Sequence, residues 1–274
     1  MNGTNPRVAV IQLNGRPQWR ENHPVVARLV GRAAARGAGV VVLPENLLAM
    51  PAHPRDYLDM AREETKAAIE ALQALAREHD IWIVAGTLPV PVREDDRRVA
   101  ARTLVIDAHG GLVAHYDKIH LFDVTLPDGR EIHRESAVFR PGDRAVVADT
   151  PAGRLGLATC FDLRFPELFR RLADLGADWF CLPSAFTEAT GRAHWELLLR
   201  ARAIENGCWM AAAAQTGRHA DGRRTWGHSM LVDPWGEVLA DCGSSADTLA
   251  VADFDIERRD RLRETFPVQR LRRL

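Results

Sequence analysis

The sequence lacks the features that mark several large protein classes. Its four cysteines, Cys160, Cys181, Cys208 and Cys242, include no C-x-x-C pair. That absence argues against a zinc site and against a disulfide framework, and three of the four lie in apolar runs that read as buried strands of a protein from a reducing compartment. A charge excess is missing too: the formal net charge is -1 and the sequence pI about 6.8, so nothing general draws the chain to nucleic acid or a membrane surface. The longest apolar run, Cys208 to Ala214, falls far short of the ~20 residues of a membrane helix. The N-terminal MNGTNPRVAV enters a strand at once, with no apolar signal core, so the expectation is a cytoplasmic protein. No linker-like stretch divides the 274 residues, which favours one domain over 1–274. The histidines have no metal-ligand spacing, and neither a metal nor an organic cofactor is expected. One local exception to the charge balance is the end of the chain, where seven arginines face three acids from Glu257 to Leu274. That short mixed run reads as a solvated or subunit-contacting tail.

What is present is an alternation of strand and helix patterns. Arg7 to Leu13, Val40 to Leu43, Ile81 to Leu88 and Asp178 to Pro183 read as strands, and Pro24 to Gly37, Pro54 to His79 and Ala193 to Asn206 as helices. Ala101 to Asp107 and Leu112 to Lys118 form an expected hairpin, with the polar Arg93 to Arg98 as the turn before it. Further strands are expected at Cys208 to Ala214, Thr225 to Val232, Glu237 to Asp241 and Leu249 to Phe254, and a closing helix at Ile256 to Thr265. Ile119 to Asp143 shows no sustained period, and an aperiodic segment of that length inside a compact domain is usually functional. Two sheets packed face to face, with helices on each outer side, would bury such a set, although the strand order stays open.

Arg154 to Phe169 is the stretch around which the chemistry gathers. Leu155, Leu157 and Ala158 read as a strand, Pro166 and Glu167 as a first helical turn, and Cys160 falls between them. A residue there points its side chain out of the layers, and the following N–H, that of Phe161, can receive an oxyanion. Glu45 and Lys118 also fall where apolar strands end, which is where layered α/β folds collect reactive groups. A thiol with a reference pKa of about 8.5 is mostly protonated at neutral pH. A carboxylate can take its proton and an ammonium can stabilise the charges that follow. Arg202, on the apolar stripe of the Ala193 to Asn206 helix, needs a carboxylate or backbone partner.

LPENLL around Glu45, YDKIHLFDVTLP around Lys118, ATCFDLRFPELF around Cys160 and GHSMLVDPWGEVLADC near the C-terminus together resemble the nitrilase superfamily of carbon–nitrogen hydrolases, from about Arg7 to Val268. The resemblance implies an α+β fold, a four-layer αββα sandwich, commonly paired into a homodimer or higher homo-oligomer through the face carrying the elbow. It also implies a Glu-Lys-Cys triad: Glu45 as general base and acid, Lys118 as oxyanion and positioning cation, Cys160 as nucleophile. The family's further glutamate corresponds to Glu135, in HRESAVFRPGD, rather than to the nearby Glu131. CFDLRFPEL, PSAFTEATGRAHWELLLRARAIEN and AAAAQTGRH are similar to the amidase branch that holds deaminated glutathione amidase and ω-amidase, which implies a small amide bearing a carboxylate or α-keto acid, cleaved with release of ammonia through a cysteine thioester. On that resemblance Arg164 anchors the carboxylate, and Phe186 and Thr190 line the pocket. His120 could orient the lysine, and with His194 and His228 it reads as a supporting or core residue. The same triad would serve an N-carbamoyl amino acid hydrolase or a nitrilase, and a catalytically silent scaffold is the non-enzyme alternative.

Overall fold

The computed structural model describes residues 5–93, 95–126 and 132–273. Its first sheet runs in order through Thr248–Asp253, Arg7–Gln12, Val40–Val42, Trp82–Val92, Asp95–Ile106 and Leu112–Asp117, with Phe139–Arg140 added against Asp95–Ile106. The second runs through Val238–Asp241, Met230–Val232, Trp209–Ala212, Trp179–Cys181, Gly153–Leu157 and Val147–Thr150. Each sheet has three parallel strands at its centre and antiparallel strands outside them. Parallel neighbours need crossovers, and the helices Trp19–Ala35, Thr65–His79, Pro166–Asp174 and Glu188–Asn206 lie in those connections.

Side-chain alternation along the strands builds the layers. Val8, Val10, Val40 and Val42 enter one core with Leu155, Leu157 and Trp179 of the second sheet. Their neighbours Ala9, Ile11 and Val41 enter another with Val26, Leu29, Ala68 and Leu72 of the helices. The first sheet is therefore covered on both faces, which is why its central strands read as unbroken apolar runs. Leu168, Phe169 and Leu172 of one helix and Trp195 and Leu199 of the next pack with the second sheet. The result is an α+β sandwich of four layers, helix, sheet, sheet, helix.

Several sequence expectations shift. The first helix starts at Trp19 rather than Pro24, with Pro24 accommodated inside it. Pro54 to His79 holds two helices, Asp56–Glu63 and Thr65–His79, and the Thr65 hydroxyl at the break donates to Pro89 O at 2.7 Å. The supposed turn at Arg93 to Arg98 is mostly strand, since Trp82–Val92 and Asp95–Ile106 extend into one long hairpin. The helix expected from Ala193 starts at Glu188, capped by the Thr187 side chain. Gly191 resembles a helix breaker, but a Cβ there would stand 2.3 Å from Cβ of Trp226, so close packing demands the glycine. Thr225 to Val232 divides into Arg224–Trp226 and Met230–Val232, because Gly227 and His228 both take positive φ. The aperiodic segment after Lys118 contains a small hairpin, Asp123–Thr125 with Ile132–Arg134, then a 3-10 turn at Glu135–Ala137. Glu131 lies outside the described residues.

Candidate active site

Three sets of strand ends meet in one cavity of about 810 Å³, lined among others by Glu45, Lys118, Glu135, Cys160, Phe161, Arg164, Phe186 and Thr190. The sequence separates these groups widely; the facing of the two sheets brings them together. Glu45 and Lys118 come from the first sheet and Cys160 from the second.

Cys160 begins a 3-10 turn, Cys160–Arg164, between the Gly153–Leu157 strand and the Pro166–Asp174 helix. Its φ is +48°, a left-handed conformation that a side-chain-bearing residue adopts only when its surroundings impose it. Here the Cys160 N–H donates to Pro183 O at 2.9 Å, and Thr159 and Asp162 close a reciprocal capping box around the turn. The thiol lines the same cavity as Glu45, Lys118 and Ala185. Burial first, and the Glu45 charge second, push the Cys160 thiol well above its ordinary value despite the opposing Lys118 ammonium. A protonated resting thiol follows, so attack needs a base.

Lys118 stands one residue beyond the Leu112–Asp117 strand, with only 1% of its surface exposed. Its Nζ donates to Glu45 Oε1 at 2.8 Å and to both oxygens of Glu135 at 2.9 Å. Burial works against the ammonium, but Glu135 and Glu45 outweigh it and hold Lys118 well above its usual range. Glu135 itself is pushed up by burial against the pull of Lys118, and it also accepts the Phe122 N–H at 2.6 Å. Glu45 is aimed by its backbone: Gln215 Nε2 donates to its carbonyl at 2.8 Å, and the following Asn46 N–H donates to Thr87 Oγ1 at 2.8 Å. Gly86 makes room for this segment, since a Cβ there would lie 1.8 Å from Pro44 O.

Arg164 lies across the aromatic rings of Phe161 and Phe186, 5.8 and 5.5 Å from their centroids. Its Nη1 is 3.3 Å from His194 Nδ1, and among the described residues it pairs with no carboxylate. Burial lowers its pKa from the ordinary value, as expected of a guanidinium without a counter-charge. Phe186 packs on Trp195 with ring centroids 4.9 Å apart, and the Thr190 hydroxyl shares a 2.9 Å hydrogen bond with that of Thr187.

His120 and His228 do not line the cavity. His120 does not reach the lysine side chain; it stacks on Phe165 at 3.7 Å between centroids and bonds Asp162. His228 pairs with Asp241 at 2.9 Å. Arg202 finds both partners its position demands, Leu163 O and Glu205, each at 3.0 Å. Sequence reasoning did not single out Phe122, which donates its N–H to Glu135, or Gln215, which donates to Glu45 O. No local pattern distinguishes them, since Phe122 acts through its main chain and Gln215 through a contact made across the fold. Among the described residues no cluster of three or more His, Cys, Asp and Glu could hold a metal ion, and no helix is long and apolar enough to cross a membrane.

The four-layer fold agrees with that of the solved structures it resembles. The carbon–nitrogen hydrolase family profile matches residues 7–264, and the chain belongs to that family. A deaminated glutathione amidase from Yersinia enterocolitica is 41% identical over 92% of this chain and 87% of its own length. The crystal structure of the Caenorhabditis elegans NitFhit protein, a nitrilase and fragile histidine triad fusion, superposes with a TM-score of 0.93 at 39% identity. That match covers 100% of this chain and 66% of the fusion protein. An amidase from Nesterenkonia sp. AN1, in a structure where acrylamide has added to the active-site cysteine, gives a TM-score of 0.80 at 28% identity, covering 95% of this chain and 99% of the amidase. The present chain is accordingly a hydrolase of carbon–nitrogen bonds, of the amidase kind.

Proposed function

We propose that the chain hydrolyses the amide of a small carboxylate- or α-keto-acid-bearing substrate, of the kind named for its deaminated glutathione amidase relatives, through a thioester on Cys160. The observation that carries this reading is the meeting of Glu45, Lys118 and Cys160 in the wall of one cavity, with the Lys118 ammonium 2.8 Å from the Glu45 carboxylate. Glu45 removes the thiol proton as sulfur attacks the amide carbonyl. Lys118 and the Phe161 N–H receive the oxyanion, each such donor lowering the barrier by about 3 kcal/mol. Glu135 holds Lys118 in place. As the C–N bond breaks, Glu45 gives the proton to the departing nitrogen, which leaves as ammonia from a terminal carboxamide or as an amine from a peptide-like amide. Glu45 then takes a proton from water, hydroxide adds to the thioester, and the acid departs as the thiol re-forms.

Arg164 supports the substrate class. A guanidinium that pairs with no carboxylate among the described residues, and lies over two rings of the cavity wall, suits bidentate binding of a substrate carboxylate. Phe186 and Thr190 shape the space beside it. A cavity of about 810 Å³ also has room for more than a short aliphatic amide. Because both sheets contribute to one site, the chain is read as one hydrolase domain. It works in the cytoplasm as a homodimer or higher homo-oligomer on this reading, which the exposed Leu197 and Ile204 on the Glu188–Asn206 helix beyond the elbow support.

The test is replacement of Cys160 with Ala and assay of a panel of primary and peptide-like amides, with and without an α-keto acid group, for ammonia, amine and acid. Loss of turnover on the keto-acid amides is expected, and undiminished release would end the proposal. Release of carbon dioxide with ammonia from N-carbamoyl amino acids, in preference to the panel, would favour the carbamoylase reading instead.

A further inference from the structure

Asp162, two residues after the nucleophile position, is fully buried and does not line the cavity. Its Oδ2 accepts the Tyr116 hydroxyl at 2.7 Å and the Thr159 N–H at 2.8 Å. Its Oδ1 accepts the His120 N–H at 3.1 Å and lies 2.7 Å from His120 Nδ1. Tyr116 and His120 stand two residues before and two after Lys118, and Thr159 immediately precedes Cys160. One carboxyl group thus joins the lysine segment of the first sheet to the cysteine turn of the second.

We propose that Asp162 is a positioning residue that sets the spacing between the Lys118 ammonium and the Cys160 thiol. The role rests on the reading that those two groups do the chemistry. Neighbouring contacts point the same way. The His120 ring stacks on Phe165 at the end of the cysteine turn, and Thr103 Oγ1 of the first sheet lies 3.3 Å from Thr159 Oγ1. Tyr116 stays a donor, because burial and the charge of Asp162 push its hydroxyl well above the ordinary range.

The residue type is dictated by the backbone. Each oxygen of Asp162 receives one main-chain N–H, and a main-chain N–H cannot turn into an acceptor. Asparagine has the same shape but must set its NH₂ against either the Thr159 N–H or the His120 N–H. Whichever way it flips, one tie to the lysine segment or to the cysteine turn is replaced by a donor–donor contact. Tyr116→Phe removes one bond from the same carboxyl, together with the acceptor of the Ile119 N–H at 3.2 Å, and leaves both main-chain ties to Asp162.

The experiment compares wild type, Asp162→Asn and Tyr116→Phe, each at a temperature where melting curves show it folded. It measures kcat and KM on the best amide of the panel. It also measures the pH dependence of Cys160 alkylation by iodoacetamide, with the labelled peptide identified by mass, which reports the thiol's surroundings without any amide chemistry. For Asp162→Asn we expect kcat to fall about 30-fold with KM within about threefold, as for an interaction lost from the transition state alone, and the alkylation midpoint to move. Tyr116→Phe should move both in the same direction by less. A folded Asp162→Asn protein with only a lowered melting temperature, or with its loss confined to KM, would overturn the proposal. Should Asp162→Asn not fold, Tyr116→Phe decides, and wild-type kcat and midpoint in that variant would overturn it. Wild type without activity on any amide would refute the function proposed above, and the alkylation midpoints would still judge Asp162.

Discussion

Replacing Glu135 with Gln probes how the cavity holds a lysine that has almost no water around it. Glu135 supplies two of the three hydrogen bonds to Lys118 Nζ, both at 2.9 Å. At that distance two unit charges attract by about 6 kcal/mol with an effective dielectric near 20, but that is a gross value. Removing one partner of a buried pair typically costs about 3–5 kcal/mol. Gln keeps one acceptor for the ammonium, which argues for the lower end, about 3 kcal/mol. The loss should fall on the barrier more than on stability. With residue 135 neutral, Lys118 draws more strongly on the Glu45 carboxylate, and Glu45 is the group that must be free to take the thiol proton. A fall in kcat of about a hundredfold is the corresponding rate effect. The sign of the pH effect follows from the charges. Glu135 is the larger of the two carboxylate influences that hold the ammonium up against burial, so its neutralisation lowers the Lys118 pKa and brings the alkaline loss of activity to lower pH. The assay is kcat across pH 6 to 10, as ~1 pH-unit steps, beside urea unfolding of both proteins. A variant with kcat within threefold of wild type (~0.7 kcal/mol) and an unmoved alkaline limb would refute the reasoning.

Arg164→Lys should raise KM about tenfold for carboxylate-bearing amides, because an ammonium cannot reproduce a bidentate fork; an equal effect on neutral amides, measured side by side, would remove the anchor role. Gly86→Ala places a Cβ where Pro44 O leaves 1.8 Å, so strand and glutamate segment must separate. We expect a stability loss of at least about 2 kcal/mol by denaturant titration together with reduced kcat, and a wild-type melting temperature with full activity would contradict the packing. Burial pushes Cys181 to about 12 and Cys208 to about 11, from an ordinary value of 9.0. The unfolded chain therefore ionises these thiols from about pH 9 while the folded chain keeps them protonated, so their contribution is intact below about pH 9 and declines above it by about 1.4 kcal/mol per pH unit for each thiol until the folded values are reached. Urea titrations between pH 8 and 10.5 (a span of ~2.5 units) should show that slope, and Cys181→Ala should flatten it; identical slopes would count against the burial argument.

Local pattern accounts for the strands and helices that were legible and for the ones that were not. Val40 to Leu43 read as a central strand because a strand covered on both faces needs no polar alternation, and the structure covers it on both. Pro166 marked a helix start because a residue at N1 has no partner for its N–H to lose. The helix from Glu188 was read five residues short because Gly191 signals a break to any local rule. Its reason for being there, the side chain of Trp226, comes from a strand more than thirty residues away. The long hairpin through Arg93 to Arg98 was missed for a similar cause. Charged residues end strands in water, but here the strand ladder continues with its partner beyond the sheet's covered part.

The nature of the reactive groups was written in the chain: a thiol at a strand-to-helix turn, a carboxylate and an ammonium at other strand ends, and a family pattern joining them. Residue chemistry and spacing are local properties, and sequence holds them in full. Their meeting was decided by the facing of two sheets, which alone places Glu45 and Lys118 of one sheet against Cys160 of the other. The same packing set the protonation of the site, because burial of an ammonium between two carboxylates exists only after the layers close. It also gave Asp162 its Tyr116 and His120 partners, from a segment 46 and 42 residues away that only the packing of the sheets brings near.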